Sequence, residues 1–311
     1  MKIFDVHLHF PRDWEHPDAD PQPLLDATLE KARAAGIAAV CVLSGGRFGP
    51  SYAQALRCLE RHAGFAIPVA VVDPEETSGR MVRELHAMGY RGLKMIGVKQ
   101  PYDSYDYFRL YEVAEELQLP ILFHLGVIGG PVDYQRTHPR RDPTAAARLA
   151  RWMARVGARD TSAVRMHPFH LDTLANNFPH LRMIGAHLGG TGNYDAAASV
   201  VRWRPNVYLD LSGGETIERH AEERRLIGVE IGVEKLVWGS DCPADEIQTH
   251  VDRFVALFDR IGLSEDERER IWWRNAAEIY GLEAPAGAAE APLRPDGEDY
   301  SAPEALSARP A

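Results

Sequence analysis

In residues 3–10, IFDVHLHF, an apolar run suited to a buried strand carries Asp5, His7 and His9 at every second position. Side chains alternate across a strand, so these three polar groups share one face while Phe4, Val6, Leu8 and Phe10 share the other. Burying two imidazoles and a carboxylate unpaired would cost on the order of 1–3 kcal/mol per group. The polar face must therefore look onto water, a hydrogen-bond network or a metal. A His-x-His pair on a strand aims two ring nitrogens at one point, which suits a divalent cation with Zn–N bonds of about 2.0–2.1 Å. Taken alone, the stretch leaves two readings open, a metal or a pair of hydrogen-bonded core histidines.

Three more groups of the same chemistry follow apolar runs: His124 in LPILFHLG (119–126), His187 in LRMIGAHLGG (181–190) and Asp241 in KLVWGSD (235–241). Similar runs occur at 37–44, 65–74, 92–98 and 206–214, and helical patterns fill 23–36, 51–64, 77–89 and 105–118. Short aliphatic strands with helical crossovers imply a parallel sheet covered on both faces. Counting the first stretch, eight such strands are expected, the number of a (β/α)8 TIM barrel. The order alone also fits an open doubly wound sheet, but no G-x-G-x-x-G follows the first strand. In a barrel the reactive groups sit at the C-terminal ends of the strands, and His7, His9, His124, His187 and Asp241 all fall there. That coincidence favours the metal over core histidines.

Composition bounds the setting. The chain of 311 residues can bury one large α/β core, placed at 1–283. A formal charge of −10 disfavours nucleic acid and anionic membranes as partners, and a small-molecule substrate fits better. Cys41, Cys58 and Cys242 form no C-x-x-C, so neither a disulfide framework nor a thiolate zinc site is expected. The opening residues do not read as a signal peptide, no apolar run is long enough to span a membrane, and a cytoplasmic protein is expected. Residues 284–311, rich in Ala, Pro and Glu, read as a tail that could dock on a second subunit of a homodimer.

The motifs DVHLHF, PILFHLG, FPHLRMIGAHLGG and LVWGSDCP, in this order and spacing, resemble the amidohydrolase superfamily. More narrowly they are similar to its amidohydrolase-related (amidohydrolase 2) branch, which includes aminocarboxymuconate-semialdehyde decarboxylase, resorcylate decarboxylases and pyrone-dicarboxylate lactonase. RIWWRNAAEIYGL (270–282) resembles that branch's final helix, with Arg274 where glycine is usual. The resemblance implies one divalent ion, usually zinc, held by His7, His9, His124 and Asp241. Imidazole and carboxylate donors also suit manganese or iron. Asp241 would be ligand and proton acceptor. His187 would be a second base or a hydrogen-bond partner of the hydroxide and a developing oxyanion, the alternative being a fourth imidazole ligand or a structural group. Asp5 would orient a ligating imidazole or the strand end. Lys94 corresponds to the lysine that bridges a second metal in binuclear members, although this branch commonly carries it with one metal. Decarboxylase relatives place a carboxylate-binding arginine in the loop that holds Arg47, whose planar fork suits a substrate carboxylate.

The long connection at 127–180 is expected to form a lid or specificity wall, with Tyr134, Arg136, His138, Arg140 and Arg141 as its candidates, while Arg148, Arg151 and Arg155 mark a solvated helix face. His167 and His170 begin the helix before the sixth strand. Trp272 and Trp273 anchor the final helix, and His62, His86, His220 and His250 read as surface groups. Three functions stay open: a metal-dependent hydrolase acting on a lactone, ester or amide carbonyl; a non-oxidative decarboxylase or hydratase of an unsaturated or aromatic carboxylate; and a non-catalytic binding barrel. The water-activating set favours the hydrolase.

Overall fold

The computed structural model describes residues 1–13, 18–46, 49–129, 140–156 and 161–282. Eight parallel strands run in sequence order: Ile3–His9 (β1), Ile37–Ser44 (β2), Ala66–Val72 (β3), Leu93–Met95 (β4), Ile121–Phe123 (β5), Met183–Gly185 (β6), Val207–Asp210 (β7) and Leu236–Val237 (β8). Two bonds close the ring: the Val6 N–H donates to Trp238 O at 3.1 Å, and the Asp241 N–H to His7 O at 2.7 Å. The fold is the expected (β/α)8 barrel. Most strands are shorter than their apolar runs, because the last residues of each run leave the ladder and build the rim.

The outer ring is made of Gln22–Ala34 (α1), Tyr52–Glu60 (α2), Gly79–Met88 (α3), Phe108–Glu116 (α4), Pro143–Val156 (α5), Phe169–Asn177 (α6), Tyr194–Trp203 (α7), Gly214–Glu223 (α8) and Ile247–Ile261 (α9). Ser51 and Ser78 cap α2 and α3 by accepting from the Gln54 and Met81 N–H groups. Both α5 and α6 lie between β5 and β6, within the long connection. No helix among the described residues is long and apolar enough to cross a membrane.

Strand alternation sorts side chains into two cores. Val40 and Val42 join the layer under the helices, whereas Ala39, Cys41, Leu43, Val69, Val71, Leu122 and Ile184 fill the barrel. β1 departs from the simple alternation. Phe4 and Val6 point into the barrel, but Ile3, Leu8 and Phe10 join the outer layer, so Phe4, Val6, Leu8 and Phe10 do not share a face. The cause is a break in register between Asp5 and Leu8. There the Asp5 Oδ1 accepts from the His7 N–H at 2.9 Å and from the Ser240 N–H at 2.9 Å, so a side chain takes the place of ladder partners.

The chain ends in Glu265–Glu269 (α10), a π-helical turn Arg270–Arg274, and Asn275–Ile279 (α11). This segment plugs the barrel from below: Trp273, Ala276, Ala277 and Ile279 pack on Phe4 and Val6. Trp272 faces outward and packs on Trp238 and Phe258 at ring separations of 5.3 Å. The two tryptophans thus anchor the terminus as expected, and Arg274 pairs with Asp266 at 2.7 Å. Trp273→Ala is expected to cost about 3–5 kcal/mol, read as a lower urea midpoint. An unchanged midpoint would mean that the plug contributes nothing.

Candidate metal centre

The polar groups meet at the C-terminal rim, and the backbone there is strained to place them. His187, Leu188 and Asp241 adopt φ of +61°, +51° and +42°. Left-handed conformations cost non-glycine residues about 1–3 kcal/mol and collect at functional sites. Gly239 is needed beside them, since a Cβ at that position would lie 2.7 Å from the His7 Cβ.

One donor atom each from His7, His9 and Asp241 lies within 4.8 Å of the others. The Asp241 Oδ1 is 3.7 Å from the His7 Nε2 and 3.4 Å from the His9 Nε2. Donors around one tetrahedral ion with bonds near 2.1 Å sit about 3.4 Å apart. The set therefore fits a divalent ion in both chemistry and spacing. His9 is 34% exposed, so the cluster faces the open rim rather than a sealed interior.

Behind His7 stands Asp210, fully buried, whose Oδ2 accepts from the His7 Nδ1–H at 2.7 Å. That bond fixes the tautomer and leaves the Nε2 lone pair turned toward Asp241 and His9, as in other carboxylate–histidine–metal arrangements. The Asp210 Oδ1 accepts from the N–H of His187 at 2.8 Å, the N–H of Ser212 at 3.0 Å and the Ser212 hydroxyl at 2.6 Å. Asp210 and Ser212 are not among the residues that the sequence singled out. The signal was present, because Asp210 closes the apolar run NVYLD as Asp241 follows LVWGS.

Desolvation beneath the rim pushes the His9 imidazole down to about 3, a full-burial effect that its 34% exposure weakens, and burial lowers His187 and His124 as well, so these rings are neutral and can offer lone pairs. For Asp241, burial acts upward but is outweighed by His7, His9, His187 and Lys94, which hold the carboxyl down at about 2. In metal-free protein an unfolded His9 takes up a proton near 6.5 while the folded one stays neutral to about 3. The unfolded chain binds more protons between those values, so stability falls as pH drops through that window. A urea midpoint that declines below about pH 6.5 in chelator-treated protein is the expected result, and a flat midpoint above the carboxylate range would count against it.

The His124 Nδ1 faces the His187 Nε2 at 3.2 Å and its Nε2 faces Val127 O at 3.3 Å, so it sits one ring away from the His7–His9–Asp241 group. Lys94, the middle residue of β4, brings its Nζ to 3.2 Å from the His7 Nε2. Burial lowers its ammonium to about 8, against the pull of Asp241 and Asp210. Asp5 secures the strand end, tying β1 to the loop that carries Asp241. Arg47, Tyr134, Arg136, His138 and the tail at 284–311 lie outside the described residues, whereas Arg140, Arg141, Arg148 and Arg151 are exposed. The His167 Nδ1 accepts from the Phe169 N–H at the start of α6, and the His170 Nδ1 pairs with Asp103 at 2.8 Å. His250 is buried, not a surface group, because α9 turns that side toward the barrel; His62 is likewise largely covered, bonded to Asp26 at 2.7 Å. A cavity of about 590 Å³ opens from His9 and Asp241 and runs along α1, lined by Phe10, Arg12, Lys31 and Ile96.

Fold and site place the chain among (β/α)8 barrels that gather their polar groups at the C-terminal rim. It belongs to the amidohydrolase family, whose model, described as Amidohydrolase, matches residues 4–282. The gamma-resorcylate decarboxylase of Polaromonas sp. is 24% identical over 256 residues, 71% of each chain. A probable 2-pyrone-4,6-dicarboxylic acid hydrolase of Acinetobacter baumannii, crystallised with citric acid, superposes with a TM-score of 0.60 at 15% identity over 90% of this chain and all of that one. The 5-carboxyvanillate decarboxylase of Novosphingobium aromaticivorans, crystallised with manganese and a nitrobenzoic acid, gives 0.56 at 13% identity over 90% and 96%.

Proposed function

We propose that the protein is a metal-dependent hydrolase of a small, carboxylate-bearing lactone, ester or amide. The observation that carries this reading is the convergence of His7, His9 and Asp241 with His7 held from behind by Asp210. A divalent ion at that point supplies Lewis acidity, bringing the pKa of a coordinated water toward about 7 and polarising a carbonyl. His7, His9 and Asp241 would hold it, His124 would have to turn from His187 and Val127 O to become a further ligand, and the donor set suits zinc, with manganese or iron as competitors. The Asp241 Oδ2, directed toward His187 at 3.8 Å, accepts the proton of the attacking water, and His187 is the second base. Arg47 remains a candidate for the substrate carboxylate, and Arg12 in the cavity wall offers the same fork.

The 24% identity to a decarboxylase supports a second reading, loss of CO₂ from an aromatic carboxylate at the same site. A panel of lactones, esters, amides and aromatic carboxylates, followed by acid release and headspace CO₂, separates the two. Acid release without CO₂ is expected; CO₂ from the carboxylates with inert lactones and amides would overturn the hydrolase. Elemental analysis is expected to give about one ion per chain. About two, falling to one in Lys94→Met, would instead make Lys94 the carrier of a second metal.

A further inference from the structure

The cavity that opens from His9 and Asp241 does not stop at the barrel mouth. Leu24, Ala27, Thr28 and Lys31 of α1 also line it, spaced i, i+3, i+4 and i+7, so one stripe of the helix forms a continuous wall. At about 1.5 Å per residue that wall is about 10 Å long. Pro243 and Ala244, after β8, line the cavity as well, and so do Leu8 and Phe10. The slip in β1 supplies these last two, because it turns both to the helix side of the strand. The Thr28 hydroxyl is committed to Leu24 O at 2.8 Å, which leaves the middle of the wall apolar. At its end Lys31 pairs with Asp245, tying α1 to the loop after β8. We propose that this cleft is a subsite for a hydrocarbon arm of the substrate, reaching from the reacting carbonyl toward Lys31.

This rests on the hydrolase reading and narrows its substrate to a carboxylate-bearing ester, amide or lactone with an apolar side chain. A polyhydroxylated lactone would lose water from hydroxyls that Phe10, Leu24, Ala27 and Ala244 cannot pair. Arg12, whose Nη2 donates to Gly49 O at 3.3 Å, lines the same cavity and gives the substrate carboxylate a planar partner. An extended chain advances about 1.1–1.2 Å per bond, so the wall takes about eight or nine bonds before the Lys31–Asp245 pair. That pair sets the upper length of the arm.

Straight-chain carboxylates from butanoate to dodecanoate, titrated calorimetrically into the zinc-loaded full chain, test the cleft without any turnover. The head group is the same in every member, so differences along the series read the arm alone. Kd is expected to fall about two- to fourfold per added methylene and to level off at about eight to ten carbons. Ala27 is an exposed position of α1, so Ala27→Phe fills the cleft without entering the core. It is expected to abolish the gain with length, whereas Ala27→Ser, which leaves the cleft open, retains it. A wild-type Kd independent of chain length overturns the proposal whether or not the variants fold. A gain that continues undiminished to dodecanoate overturns it, as does one that survives unchanged in Ala27→Phe, which would seat the chains elsewhere on the protein. The two readings fail separately: a flat series beside acid release leaves the hydrolase standing, and a length-dependent series beside CO₂ release leaves the cleft standing.

Discussion

Replacing His7 and His9 together with alanine is expected to remove the metal and turnover in one step. Asp241 would be left as the single donor of the three-residue group. One carboxylate does not hold a borderline cation against water, and His124 faces His187 and Val127 O instead of the vacated positions. Losing a Lewis acid worth several kcal/mol lowers the rate by about three to four orders of magnitude. Elemental analysis after dialysis, run beside the activity assay, checks both halves. His9 lies at the open rim, but loss of His7 strips the buried Asp210 of its ring partner, so circular dichroism and a urea titration are run beside the assay to separate lost metal from lost fold. Retained metal in the double variant would refute the ligand assignment, and retained activity without metal would refute the chemistry.

Asp210→Asn is expected to lose the metal while keeping most of the stability, and Asp210→Ala to lose both. The carboxylate accepts from the His7 ring, the His187 and Ser212 N–H groups and the Ser212 hydroxyl, all in a dry environment. Alanine leaves these donors unpaired, at about 1–3 kcal/mol for each that water cannot reach, so an overall loss of about 3–5 kcal/mol is expected in denaturant titration. Asparagine is nearly isosteric, and its carbonyl can still accept from the Oδ1 side. Its amide, however, presents N–H toward the His7 Nδ1, which drives the ring proton to Nε2 and covers the lone pair that faces Asp241. Metal affinity is then expected to fall about 10- to 100-fold or more, measured by competition with a chelator. Wild-type affinity in Asp210→Asn would show that the tautomer of His7 is not set from behind.

The sequence by itself determined the alternation of eight strands with helices, the rim position of His7, His9, His124, His187 and Asp241, and the anchoring tryptophans. Each of these rests on local periodicity, which a chain carries whatever it folds against. Only the tertiary structure decided the rest. The slip in β1 arises because the Asp5 carboxylate finds the Ser240 N–H, 235 residues away. Asp210 becomes the partner of His7 across 203 residues through the closure of the ring, and Lys94 meets the same imidazole across 87 residues. His250 reads as a surface residue until α9 is packed in place. Residue type and spacing specify which face a group occupies only where the ladder stays in register, as the slip in β1 shows. Closure of the barrel sets which groups from distant strands meet, and at what distance, because strand order and register act on pairs that no local window contains.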